Sequence, residues 1–285
     1  MKGINHLILA GRDLEAMRSN YQALGFTIVP RGQHPFGTGN SIIQLRGTYL
    51  ELLSVTNPQD VPEHRAGNFS FAAFNRDYLL RHDGFSMMVL DTSDARADIQ
   101  AWHAAGLKTF EPFDFSRTGK MPDGTDVKVG FSLAFVNHPA APWLGLFACQ
   151  HYRPEYYEQP QYLKHSNGAS TVRDVWIVGE TAMDLASYIR TVTGANSFSE
   201  GPHAIAIQTG TGTIVLARAQ AFEAAFGVTP PHPEDGPHLA GFTVACRALG
   251  PLAELPLAKT GNRHVLTPAN NFGTAVGFVE VDGRQ

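Results

Sequence analysis

The feature that most constrains this chain is that it repeats itself. The segment Gly3-Ile-Asn-His-Leu-Ile-Leu-Ala-Gly-Arg-Asp-Leu14 is echoed by Gly84-Phe-Ser-Met-Met-Val-Leu-Asp-Thr-Ser-Asp-Ala95. Each reads as a short apolar strand followed by a polar turn whose Asp can cap a helix. An amphipathic helix is expected next, over Leu14–Leu24 in the first copy and Ala95–Ala105 in the second. Each helix ends in a similar phrase, Ala23-Leu-Gly-Phe-Thr27 and Ala105-Gly-Leu-Lys-Thr109. The glycine there suits a left-handed C-cap, after which the chain restarts as a strand.

Three strands follow each helix. In the first copy they are Thr27–Arg31, Ser41–Arg46 and Tyr49–Val55, with Arg46-Gly47-Thr48 as a hairpin turn; in the second they are Lys108–Pro112, Val127–Val136 and Leu144–His151. The unit is therefore βαβββ, twice before residue 155. A weaker third copy runs through strand Val172–Val178, helix Ala182–Val192, and strands His203–Gln208 and Thr213–Ala217. An eroded fourth follows, with strands Leu239–Cys246, Arg263–Thr267 and Thr274–Val281. The Tyr-, Gln- and Pro-rich stretch Tyr152–Asn167 reads as a connector, and Thr229–Pro237 separates units three and four. The expected fold class is α+β: repeated units forming two open barrel-like modules, over residues 1–165 and 170–285.

Composition narrows the function classes. With 43% hydrophobic and 17% charged residues, the 285-residue chain can bury a core. Its 26 acidic side chains exceed 22 basic ones, and no basic block occurs. Nucleic acid is therefore not expected as a partner, because phosphate binding needs concentrated positive charge. Cys149 and Cys246 are the only cysteines and sit in no metal-binding spacing, which suits a reducing compartment. The opening apolar run meets Arg12 too soon for a membrane span. A cytoplasmic protein acting on a small molecule is the expectation, with a homodimer compatible with exposed sheet edges.

Two residues stand out chemically. By period-2 alternation His6 shares a face with Ile4 and Ile8, inside the barrel. Glu51 lies in Tyr49-Leu-Glu-Leu-Leu53, and a carboxylate in so apolar a strand needs a partner or a metal. The bland alternative is a satisfied core histidine with Glu51 paired to Arg46 or Arg31.

A repeated βαβββ unit with His on its first strand and Glu on its last resembles the vicinal-oxygen-chelate superfamily. Pro30-Arg-Gly-Gln-His-Pro35, Gly37-Thr-Gly-Asn40, Gly47-Thr-Tyr-Leu-Glu-Leu52, Phe147-Ala-Cys-Gln-His151 and His165-Ser-Asn-Gly-Ala169 more narrowly resemble a bacterial glyoxalase-like domain family. The likeness covers residues 1 to about 170 well and the remainder loosely. It implies one divalent metal (Fe2+, Mn2+, Zn2+, Ni2+ or Co2+) held by His6, Glu51 and a third ligand. Met87 stands in the place of His6 in the second unit and is a poor ligand for such ions. His151 is expected as the third ligand, with Gln150 as the fallback. Glu51 and His34 are candidate proton shuttles, and Arg31, Asn40, His138 and Gln150 candidate substrate contacts. His165 and Asn167 are candidates for folding the connector back onto the cleft. The expected activity is that of a lyase or isomerase on an oxygenated substrate. Alternatives are an extradiol-type ring-cleaving dioxygenase using Fe2+, or a metal-free sequestering protein.

Overall fold

A computed structural model describes residues 1–121, 123–156 and 158–281. The first module comprises β1 (Ile4–Ala10), α1 (Leu14–Ala23), β2 (Gly32–Gln33), β3 (Thr38–Leu45), β4 (Thr48–Val55), α2 (Phe71–Arg81), β5 (Gly84–Asp91), α3 (Ala95–Ala104), β6 (Lys108–Thr109), β7 (Phe113–Lys120), β8 (Asp126–Asn137) and β9 (Gly145–His151). The second comprises β10 (Ala169–Val178), α4 (Ala186–Thr193), β11 (Phe198–Glu200), β12 (Ala204–Gln208), β13 (Thr213–Ala217), α5 (Ala219–Phe226), β14 (His238–Cys246), β15 (Ala258–Thr260), β16 (Arg263–Leu266) and β17 (Ala275–Glu280). Their sheets run in the same order, β2-β3-β4-β1-β5-β9-β8-β6 (with β7 beside β8) and β11-β12-β13-β10-β14-β17-β16-β15. In each, two parallel pairs (β1 with β4, β5 with β9) meet at one antiparallel seam, β1 with β5. The fold is thus α+β, two modules of curved mixed sheet with open rather than closed edges.

Local chemistry sets the elements as expected. Asp13 and Asp94 cap α1 and α3, accepting from the backbone N–H of Ala16 and Ala97 at 2.9 Å. Gly25 and Gly106 follow with φ of +88° and +80°, the left-handed geometry that ends a helix at little cost only for glycine. No helix among the described residues is long and apolar enough to cross a membrane.

Four expectations change. Thr27–Arg31 is not a strand, since Pro30 lacks an N–H to give a ladder, and β2 forms just after it. Lys108–Pro112 shortens to a two-residue bridge, and the extended strand β7 comes later. Helices α2 and α5, each following the last strand of its unit, were not anticipated.

The fourth change concerns faces. Ile4 pairs with Leu90 and His6 with Val89, so Asn5 is an extra residue, a bulge. Ile4 therefore packs outward with Leu7 and Leu9 against α1, while His6 and Ile8 point inward. A matching shift on β5 turns Phe85 outward and Met87 inward. The outward faces of both sheets share one continuous core, in which Phe85 meets Phe242 of the second module at 5.8 Å. Each inward face keeps a cluster of its own, and the two are filled very differently.

Candidate metal centre and active-site cleft

The inward face of the first module lines a narrow cleft. Strands β1, β3 and β4 bring His6, Asn40 and Glu51 to its floor, because His6, Ile8, Tyr49, Glu51 and Leu53 all take the inward half of the alternation. Leu50 and Leu52, on either side of Glu51, enter the outer core instead. His34 arrives from the turn before β3, its backbone N–H donating to the Thr38 carbonyl at 2.8 Å. Phe36, Phe71, Phe115, Phe131 and Phe147 build the walls. Two of these rings come from elements absent from the sequence reading, Phe71 from α2 and Phe115 from β7.

His6, Glu51, His34 and Asn40 meet. Glu51 Oε2 is 3.5 Å from His6 Nε2, and Oε1 is 3.8 Å from His34 Nε2. Asn40 Nδ2 donates to Oε1 at 2.6 Å. His6 Nδ1 lies 2.7 Å from Asn5 Oδ1, and His34 Nδ1 lies 2.9 Å from Thr38 Oγ1. An amide oxygen only accepts, so His6 carries its proton on Nδ1 and turns the Nε2 lone pair toward the carboxylate. Holding an imidazole by its remote nitrogen in this way is how ligating histidines are oriented.

Burial dominates the electrostatics. It pushes the Glu51 carboxyl up to about 7, against the Asn40 hydrogen bond and the Arg117 charge, which both favour ionisation. It holds His6 well below its ordinary value, helped by His151 and His34, and lowers His34 to about 3, helped by Arg117. Two neutral imidazoles thus face a carboxylate with no arginine of the described residues at ion-pair distance. Arg31, offered earlier as a partner, lies instead 3.8 Å from Glu15. Lone pairs and anionic oxygens opposed at 3.5–3.8 Å repel unless a proton or cation lies between them. Each imidazole lies within about twice a metal–ligand bond of ~2 Å from the carboxylate, a spacing at which a borderline divalent ion can bridge it to Glu51, though the donors of all three side chains do not lie within 4.8 Å of one another.

The other candidates fall elsewhere. His151 keeps the inward parity of Phe147 and Cys149, but its Nε2 lies 3.3 Å from Asn5 Oδ1, so Asn5 stands between it and His6. Burial lowers it to about 4. With His6 matched to Met87, the register Ile8↔Glu51 corresponds to Val89↔Phe147, so the position opposite Glu51 is held by a phenyl ring. Gln150 points to the helix side, where its Oε1 accepts from Ala95 N–H at 3.2 Å. His138 is in a turn, accepting from Ala140 N–H at 3.3 Å and packing on Tyr188 of the second module, away from the cleft. Arg31 lines an outer groove together with Asn40, Tyr156, Gln159 and Tyr162. The connector packs on the first module but not onto the cleft: His165 contacts the Gln44 carbonyl at 2.7 Å, and Asn167 donates to the Leu24 carbonyl at 2.8 Å. Among the described residues, one trio of ligating side chains has all donors within 4.8 Å of one another, His82, His232 and Glu234. It lies where α2 meets the second module, and there Asp235 takes both Arg81 and His82.

Sequence reasoning missed Asn5, Thr38 and Arg117. Only Arg117 had a visible signal, the alternation Phe113-Asp-Phe115-Ser-Arg117 that places the two rings and the guanidinium on one face.

The second module shows what this arrangement replaces. Asp174 occupies the register position of His6, and Val215 that of Glu51. Arg263 reaches Asp174 at 3.3 Å and lies over the rings of Trp176 and Phe226, which with Phe222 fill the space.

The architecture recurs in solved structures. A hypothetical protein from Staphylococcus aureus superposes with a TM-score of 0.71 at 15% identity, covering 99% of this chain and 100% of that one. A variant of 4-hydroxymandelate synthase from Streptomyces coelicolor gives 0.58 at 11%, covering 99% and 93%. The 2,2',3-trihydroxybiphenyl 1,2-dioxygenase of Sphingomonas wittichii gives 0.52 at 13%, covering 97% and 90%. At such identities these likenesses speak to fold alone. No curated protein matches the sequence. The family model described as "Glyoxalase-like domain" matches residues 4–193, well over half of the chain. The chain belongs to that glyoxalase-like family, within the vicinal-oxygen-chelate superfamily.

Proposed function

We propose that the first module is a metal-dependent enzyme acting on a small oxygenated substrate, with lyase or isomerase chemistry. The observation that carries this reading is the buried Glu51 carboxylate faced by two uncharged imidazoles, with no lysine or arginine of the described residues at ion-pair distance. His6, Glu51 and His34 would hold the ion, His34 taking the place first assigned to His151. A divalent ion bound there would supply a Lewis acid that polarises adjacent substrate oxygens. Asn5 and Thr38 orient the imidazoles. Asn40 occupies Glu51 Oε1, which leaves Oε2 as the atom that takes or gives a proton beside His6. The phenyl walls keep water from that carboxylate.

A second reading is a ring-cleaving oxygenase using Fe2+. The two-imidazole, one-carboxylate donor set favours it, being the ligand combination of non-haem iron oxygenases. Metal analysis of the purified protein, with oxygen uptake measured on catechols, separates the two. Iron with uptake supports the oxygenase. Nickel, zinc, cobalt or manganese without uptake supports the lyase or isomerase. A wild-type protein that binds no divalent ion defeats both and leaves a sequestering role.

A further inference from the structure

The cleft contains a cation the chemistry above does not use. Arg117 projects from β7 on the same face as Phe113 and Phe115, opposite Val129 of β8. It lines both the metal-site cleft and the outer groove that opens from it past Asn40 and Ile42. Its side chain is half-buried, and its buried Nε has no hydrogen-bond partner among the described residues. No carboxylate among the described residues lies within ion-pair distance of it, whereas Arg12, Arg18, Arg31, Arg76, Arg81, Arg96, Arg153 and Arg263 each have one. Gly32 lies beside it: a Cβ there would stand 2.6 Å from Asn40 Oδ1 and 3.7 Å from Arg117 Nη1.

A buried guanidinium N–H without an acceptor is costly, and the fork geometry is matched by a planar carboxylate. The cleft that Arg117 shares with the His6/Glu51/His34 cluster is walled largely by phenyl rings, which favour an apolar and preferably ring-bearing body. We infer that Arg117 is the substrate's carboxylate anchor and that the module acts on ring-bearing carboxylic acids, the acid group held at Arg117 and other oxygens presented to the metal site. The inference rests on the metal-site reading above for what happens at the far end of the substrate, but not for the anchor itself.

The test compares phenylacetate with its neutral isostere phenylacetamide, by calorimetry on metal-loaded full-length protein. Wild type should bind the acid about tenfold or more tightly than the amide, the yield of one charge-assisted pair. Arg117→Met should abolish that preference while leaving amide binding unchanged, and Arg117→Lys should keep part of it. In Glu51→Gln, which removes a metal ligand, the acid preference should persist. Equal binding of acid and amide by wild type, or no binding of either, overturns the anchor. So does a preference that survives Arg117→Met but disappears in Glu51→Gln, which would seat the carboxylate on the metal and leave the metal-site reading intact.

Discussion

The two modules share one strand order yet solve the same problem in opposite ways. Each curls a sheet around a concave face, and each places an ionisable side chain at the inward position of its first strand. In the second module that side chain is Asp174, and the protein supplies the counter-cation itself. Arg263 bonds Asp174, the Thr243 hydroxyl and the Ala225 carbonyl, while Trp176, Phe222 and Phe226 occupy the space. In the first module His6 and Glu51 meet no arginine in contact, and the rings stop short of filling the cleft. The difference teaches that polarity inside such a sheet is tolerated once its charge is balanced, and that leaving the balance to something from outside is what makes a site.

Several measurements bear on this contrast. The largest effect is expected on metal affinity. His6→Ala or Glu51→Gln should weaken divalent-ion binding by well over ~100-fold, since removal of a ligand exceeds the 10–100-fold cost of disturbing its supports. Asp174→Asn should leave that affinity untouched, and equal losses for both would mean the second module also binds the ion. Stability should move the other way. Asp174→Asn leaves Arg263 largely buried without its counter-charge and should cost about 3 kcal/mol in denaturant unfolding. In metal-free protein, Glu51→Gln should instead stabilise. The acid's folded value near 7 lies above its ordinary 4.5, so ionisation opposes folding, increasingly from pH 4.5 to 7 and fully above 7. At pH 8, where the histidines are neutral in both states, the gain should approach about 3 kcal/mol, and it should vanish near pH 4. A destabilising Glu51→Gln at pH 8 would show that some internal cation already balances the carboxylate. The smallest effect is expected for Asn5→Ala, which releases the His6 tautomer. Metal affinity should drop about tenfold with little change in thermal stability, and an unchanged affinity would remove Asn5 from the site.

Much of the architecture was legible because strand and helix periods are written in side-chain polarity. Ile4–Ala10 and Thr48–Val55, the helix-capping Asp13 and Asp94, and the glycines after α1 and α3 all spoke for themselves. The pairing of His6 with Glu51 followed, since both sit at inward positions of adjacent strands. The misses share one cause: they depend on register between distant segments. The bulge at Asn5 reverses Ile4 relative to simple alternation. The choice of His151 was right in parity, but the ladder puts Phe147 opposite Glu51 and leaves His151 beyond Asn5. β7 was obscured because Asp114, Ser116 and Thr118 face solvent and Gly119 interrupts the pattern. α2 carried a legible start in Ser70, whose hydroxyl accepts from Ala73 N–H at 3.1 Å, but its apolar residues spread over too wide an arc to mark a face.

The extra residue in β1 has a further consequence. Because Asn5 is inserted between two regular stretches, neither the outer core nor the inner cluster loses a side chain to it. Its amide oxygen touches His6 and His151 without belonging to either packed layer. Variation there can retune the imidazoles while both hydrophobic surfaces stay assembled, so the strand offers evolution and the protein engineer an adjustment point uncoupled from foldability.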